Sequence, residues 1–163
     1  MPTGDRTKAP WLPPRWFIRL AWSVHRGAYR AFGGRIGLWK PRPGQWGTLR
    51  LTTTGRRTGR PRGVIVAYVE DGPHLVTLAM NGWGEGEPAW WLNLQEHPEA
   101  GVHLVTGRRT VRARAATGEE RARLWDRWRA IETNLDAYAA KRSFETTVVV
   151  LEPLSGDRPT DVP

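Results

Sequence analysis

The run GVIVAYVEDGPHLVTLA, from Gly63 to Ala79, leaves a chain few choices of fold. Two apolar segments rich in valine flank Asp71-Gly72, a turn signal that sends the second back along the first as a β-hairpin. Further strands are predicted on either side. Residues 46–54 precede the hairpin strands at 62–70 and 74–79. Val102 to Val105 and Arg108 to Ala115 form a second hairpin around Thr106-Gly107, and TTVVVLE closes the series as a β-branched strand. Helical patterns are fewer. Arg15 to Phe32 is amphipathic, and Pro88 opens a short helix to Glu96, since proline suits a first helical turn. TGEE reads as a capping box in which Thr117 and Glu120 start a helix lasting to about Ala140. The expectation is a mainly β fold with some α: a small barrel or curled sheet of about six strands with N-terminal, short central and C-terminal helices.

Organisation follows from the same pattern. Residues 1–44 read as a Pro-rich arm plus the basic amphipathic helix, 45–153 as the folded domain and 154–163 as a loose tail. On the N-terminal helix Arg15, Arg19, Arg26 and Arg30 share one sector and Trp16, Phe17, Leu20 and Val24 the opposite one. Such a helix either packs on the domain or lies on an anionic bilayer, its arginines facing headgroups. No apolar run approaches the ~20 residues of a spanning helix, and no signal peptide is read. The chain is expected in the cytoplasm, with peripheral contact at the inner face of the plasma membrane through residues 15–32.

Directly before the core hairpin stands TGRRTGRPR, Thr54 to Arg62. Its glycines let the backbone approach a ligand closely, and its guanidiniums offer planar, bidentate donors to phosphate or carboxylate oxygens. The whole chain is basic, with 25 Lys and Arg against 16 Asp and Glu, which favours an anionic partner. A solvated basic turn explains the loop without a ligand, and Gly59-Arg60-Pro61 is close to a minor-groove hook, although Thr58 occupies the place of its first arginine. The absence of cysteine excludes disulfides, thiol catalysis and thiolate metal sites. His25, His74, His97 and His103 are dispersed and pair with no carboxylate at ligand spacing, so no metal is expected. Glu85 and Glu87 sit in a glycine-spaced loop that would hold a catalytic carboxylate pair poorly. Trp125 and Trp128, three apart on a helix, are expected to pack on the barrel.

Four segments taken in order, LTTTGRRTGRPR, DGPHLVTLAMNG, EPAWWLNLQEHPEAGV and ARAATGEERARLW, resemble the deazaflavin-dependent nitroreductase family. That family consists of split β-barrel oxidoreductases that use coenzyme F420. The resemblance covers about Leu51 to Glu152. It implies that Arg56, Arg57, Thr58, Gly59, Arg60 and Pro61 cradle the cofactor's phosphate and oligoglutamate tail, with Leu51 and Thr52 beside them. Thr77, Leu78, Ala79, Met80 and Asn81 would contact the deazaflavin ring, and Trp90, Trp91 and Asn93 would close the pocket. Tyr138 matches a substrate-side tyrosine and is the candidate catalytic residue. The chain departs from the family where Met80 and Asn81 replace a frequent serine and lysine, and where Glu132 and Leu135 replace tyrosines. These departures favour a quinone-like acceptor over nitroaromatic compounds, with Trp83 and Leu135 suiting an apolar molecule. The resemblance leaves open a protein that binds deazaflavin or lipid without turnover, and an FMN enzyme on the same barrel. Nucleic acid is not expected as a partner.

Overall fold

A computed structural model of the chain describes residues 37–154. Six strands are present among them: β1 (Gly47–Thr54), β2 (Pro61–Asp71), β3 (His74–Leu78), β4 (Glu99–Leu104), β5 (Gly107–Ala115) and β6 (Val148–Pro153). They close into a barrel in the order β1-β2-β3-β6-β5-β4, each neighbouring pair antiparallel, with β4 pairing back onto β1. Closure gives each of these strands a partner on both sides. The six expected strands are all found, their ends shifted by one to three residues. The Asp71-Gly72 signal also holds: Asp71 pairs with His74 and Gly72 turns the chain at φ 59°.

Alternation along the strands sorts the apolar residues into two layers. On β2, Val66 and Tyr68 point into the barrel with Leu49, Leu51, Leu75, Val102, Val111 and Leu151, while Ala67 and Val69 face outward. A slip of one residue would exchange the two sets, so the pairing register is firmly specified. Helix α1 (Ala89–Glu96) connects β3 to β4 and adds Trp90, Trp91 and Leu94 to the interior layer. Helices α2 (Gly118–Arg129) and α3 (Leu135–Ala139) cover the outward layer of β2, β3 and β6 with Leu124, Trp125, Trp128 and Leu135. Each such side chain, fully buried, stabilises the fold by roughly 1.5–3 kcal/mol. Trp125 and Trp128 therefore pack on the barrel as expected.

Three local expectations are corrected. The helix from Thr117 does not run to Ala140; it ends at Arg129 and resumes at Leu135. Continued straight, it would extend about 36 Å, whereas the six-residue β6 beneath spans about 20 Å. The break, through the poor helix formers Ile131, Thr133 and Asn134, keeps Leu135 on the same buried layer as Trp128. The capping box does not form: Thr117 makes no side-chain cap bond, and Glu120 turns away to accept two bonds from Arg114, at 2.6 and 2.8 Å. Pro88 is the cap before α1 and not its first residue, in extended conformation at φ −66° and ψ 142°. The basic helix expected over 15–32, and the membrane contact read from it, lie outside the described residues. Among those described, no helix is long and apolar enough to cross a membrane.

Candidate active site

The arginine loop joins β1 to β2 between the paired residues Thr54 and Pro61. Gly55 accepts bonds from the amides of Thr58 and Gly59, at 3.2 and 2.7 Å, which makes one helical turn. Gly59 ends that turn in the left-handed region at φ 64°, where glycine carries no steric cost. Gly55 is also required for space, since a Cβ there would lie 3.0 Å from the Arg60 carbonyl oxygen. The Gly55 amide donates to that same oxygen at 2.9 Å, drawing the loop's ends together. Arg57, Thr58, Arg60, Pro61 and Arg62 are exposed and Arg56 is half-buried. Among the described residues, none of these four arginines forms an ion pair.

The loop is tied to α1 by Asn93. This buried amide donates to Thr53 Oγ1 at 3.0 Å and accepts from the Arg56 backbone amide at 3.1 Å. Both ends of one side chain are thus committed, and the loop's first arginine is set by the helix. Trp90 and Trp91, meeting edge to face with ring centres 6.4 Å apart, belong to the barrel's interior layer. What α1 gives the loop therefore comes through Asn93, while the two indoles plug the barrel. Leu51 is likewise fully buried inside the barrel and Thr52 lies on the outside face. Thr52 pairs with Gly63 on one side and Gly101 on the other, so the sheet beside it carries no side chain. The Arg50 guanidinium packs over Gly63, and a depression of about 480 Å³ opens among Arg50, Thr52, Gly101, His103, Arg108 and Thr110.

Beyond β3 the chain emerges from the barrel at Met80. Thr77, Leu78 and Ala79 are buried, so Met80 and Asn81 are the members of the expected ring-contact segment whose side chains reach the surface. Arg142 holds this exit. It is 6% exposed, and donates from Nη1 to the Ala79 carbonyl and Thr146 Oγ1, each at 2.9 Å. From Nη2 it donates to the Gly86 carbonyl at 3.1 Å. One guanidinium therefore grips both ends of the loop from Ala79 to Gly86. The Phe144 ring lies 4.2 Å from its Cζ. Burial lowers the Arg142 pKa, and burial raises that of Glu87, against which the nearby Arg142 charge acts. Glu85 accepts from the Ser143 amide and hydroxyl at 2.9 and 2.8 Å, adding a second tie. Glu85 is thus spoken for by the loop's own architecture, whereas the buried Glu87 Oε2 finds no hydrogen-bond partner among the described residues. Tyr138 is half-buried with its ring stacked on Trp83, centres 5.8 Å apart and planes at 26°. Leu135 does not line an apolar opening as expected: it is buried with Leu124 and Trp128, because the break after Arg129 turns it onto the barrel.

Residues 22–153 match the family described as F420H(2)-dependent quinone reductase. The chain belongs to that family. It is similar to the F420H(2)-dependent quinone reductase Rv1261c of Mycobacterium tuberculosis, with 33% identity over 104 residues, 63% of this chain and 68% of that protein. It is also similar to the solved structure of an F420-H2 dependent reductase (FDR-A), at a TM-score of 0.57 and 26% identity over 69% of this chain and 96% of that one. A domain-swapped dimer aligns at a TM-score of 0.62 and 24% identity over 86% of this chain and all of that one, which speaks to the fold alone. Membership makes this reductase an F420-dependent oxidoreductase of the quinone reductase type on a split barrel.

The residues of this F420-dependent reductase fit such a cofactor on their own chemistry. Coenzyme F420 bears a phosphodiester and several carboxylates, and the arginine loop offers four guanidiniums that no carboxylate of the described chain neutralises. Arg142 and Ser143, and the tie that Glu85 makes to Ser143, escaped the sequence reading. Their contacts join positions about 60 residues apart, and nothing in KRSFETT distinguishes Arg142 from a solvated cation.

Proposed function

We propose that this chain holds coenzyme F420 with its anionic tail on Arg56, Arg57, Arg60 and Arg62 and its ring beside Met80 and Asn81, and that it reduces a bulky quinone. The observation that carries this reading is the pinned arginine loop: four cations without carboxylate partners among the described residues, on a turn fixed to α1 through Asn93. Thr52, Thr58, Gly59 and Pro61 shape the strand and turn around the tail. When bound, the reduced deazaflavin supplies a hydride from its central ring, and the protein supplies orientation and electrostatics. Asn93 keeps the loop in place, while Arg142 keeps the ring-side exit from β3 in place. Tyr138, next to that exit through Trp83, orients the acceptor or donates a hydrogen bond to its developing oxygen anion. Thr77, Leu78 and Ala79 contribute through their backbone, since their side chains are buried. Trp90 and Trp91 contribute by fixing α1, and Leu51 by fixing β1.

The folded unit of this proposal takes in the expected 45–153 and also 37–44 and Leu154: Leu38 is buried beside Ile65, Trp39 pairs with Thr48, and the Leu154 amide donates to the Thr110 carbonyl at 3.1 Å. Within residues 1–44, the 15–32 helix would bring the enzyme to an anionic membrane where apolar quinones reside. The test is a fluorescence titration with coenzyme F420, run beside FMN, followed by turnover of a soluble naphthoquinone with the reduced cofactor. Micromolar binding of F420 and not FMN, with turnover, is expected. Binding of FMN alone would move the enzyme to flavin chemistry, and F420 binding without turnover of any quinone would leave a carrier protein. Sedimentation with anionic liposomes, lost on deletion of residues 1–32, tests the membrane part separately.

A further inference from the structure

Among the described residues, one non-glycine residue has a left-handed backbone: Trp83, at φ 59°. It occupies the second central position of the turn Asn81–Gly84, which the Gly84 amide closes onto the Asn81 carbonyl at 3.1 Å. Gly82 before it is also at positive φ, 57°. Positive φ at both central positions is a pattern filled by glycine and asparagine, and a bulky side chain there is under strain. Glycine would be the least strained residue at 83, and the positions on both sides are glycines. A tryptophan persists in such a conformation only where its surroundings over-determine it.

The surroundings do so. The indole stacks on Tyr138, ring centres 5.8 Å apart at 26°, and packs against the outward apolar layer of the barrel. Arg142 grips the loop at Ala79 and Gly86, and Glu85 ties it to Ser143. These contacts turn the loop and the segment after α3 into one wall, continuous in sequence from Met80 and Asn81. Trp83 remains only half-buried within it, so part of the fixed indole stays accessible beside Tyr138. The geometry points to Trp83 as the residue that selects the acceptor. A planar conjugated ring stacks on the indole beside Met80 and Asn81, and the strained turn is what presents that surface. This assignment rests on the quinone reductase reading above.

Trp83→Gly is the informative variant, because glycine suits the turn and the loop keeps its Arg142 and Glu85 ties. Two further variants separate the flat face from bulk: Trp83→Phe keeps an aromatic face and Trp83→Leu keeps apolar volume. Affinity for menadione is measured by calorimetry on protein carrying oxidised F420, with KM and kcat in parallel and F420 affinity from the cofactor's own fluorescence. Loss of one aromatic stacking face should weaken menadione binding and raise its KM about 5- to 10-fold in the Gly and Leu variants. The Phe variant should stay within about twofold of wild type, and F420 affinity should be unchanged in all three. Wild-type menadione affinity in Trp83→Gly would overturn the assignment, as would equal losses in Leu and Phe. Equal weakening of menadione and F420 would overturn it too, by marking a general loosening of the loop. Should the Gly variant not fold, the Leu and Phe pair decides alone. Failure of the wild type itself to bind F420 would bring down the family chemistry and this assignment together, whereas normal wild-type turnover with an indifferent Trp83 would remove this assignment only.

Discussion

Two groups of arginines in this molecule have opposite fates. Around α2 and the adjoining strands, each of five is matched by carboxylate. Arg123 meets Asp71 through two bonds of 2.8 Å, Arg114 meets Glu120 and Glu152, and Arg121 meets Glu145. Arg129 lies between Asp126 and Asp136, and Arg112 faces Glu99. In the β1–β2 loop Arg56, Arg57, Arg60 and Arg62 have no such partner among the described residues. The first group ties a helix and hairpins to the barrel; as solvated or partly solvated pairs, each contributes little to stability. The second group concentrates positive potential on a turn that the fold holds rigid, and leaves it unneutralised. The difference teaches that charge count alone says little. A cation matters for binding when the fold spends effort on its position and none on its compensation.

The sharpest way to break that comparison is to remove charge from the loop. Arg57→Ala and Arg60→Ala are each expected to weaken F420 binding by about 1–3 kcal/mol, the worth of a charge-assisted hydrogen bond. The double variant should lose at least the larger single effect. Its melting temperature should stay near wild type, because these side chains are exposed and form no ion pair among the described residues. Fluorescence titration and a thermal melt on the same samples decide the matter. Unchanged affinity in the double variant would put the cofactor's tail elsewhere and make the loop a solvated turn.

Asn93 sits where the two roles meet, and its loss should move both readouts. Asn93→Leu removes the partner of the Arg56 amide and of Thr53 Oγ1, a cost of about 1–3 kcal/mol for buried polar groups left unmade. The arginines remain, but the turn that presents them loses its tie to α1. We expect a lower melting temperature together with several-fold weaker F420 binding. A fall in stability with unchanged cofactor affinity would show that the loop keeps its shape without the helix.

How far each region could be read from sequence follows from the range of its contacts. The strands were legible because β-branched alternation is written in consecutive residues, as in Val64 to Val69. The loop was legible because Gly55 and Gly59 bracket Arg56 and Arg57, with Arg60 and Arg62 directly after, all in consecutive sequence. Asn93 is singled out by the family resemblance, but not as the pin of the loop, since its partners are 37 and 40 residues away. The capping box failed for the same reason: Glu120 is three residues from Thr117, yet Arg114 on the neighbouring strand offered two charge-assisted bonds. The helix stops at Arg129, short of the expected Ala140, because the sheet beneath it, not the helix, sets how far it can run. Trp83 reads in sequence only as an apolar residue in a glycine-rich loop; its strained backbone and its partner Tyr138 exist only in three dimensions.

The smallest effect belongs to the paired arginines, and it should appear in stability alone. Hydrogen bonds from Arg114 lower the pKa of Glu120, and those from Arg123 lower that of Asp71. A carboxyl whose pKa is lower folded than unfolded adds stability at every pH above the unfolded value, near 4. That contribution is lost as pH falls from there through the folded value. The melting temperature should therefore drop as pH is taken from about 5 to 3. Arg114→Met removes the bonds to Glu120 and Glu152. With the guanidinium partly solvated, the loss at neutral pH should be about 1 kcal/mol, or roughly 3 °C in melting temperature. Part of the acid slope should vanish with it, because Glu120 then titrates near its unfolded value. F420 affinity at neutral pH should not move. A weakened cofactor in this variant would mean that the two groups of arginines are coupled through the barrel, and that pairing on one face helps to set the loop on the other.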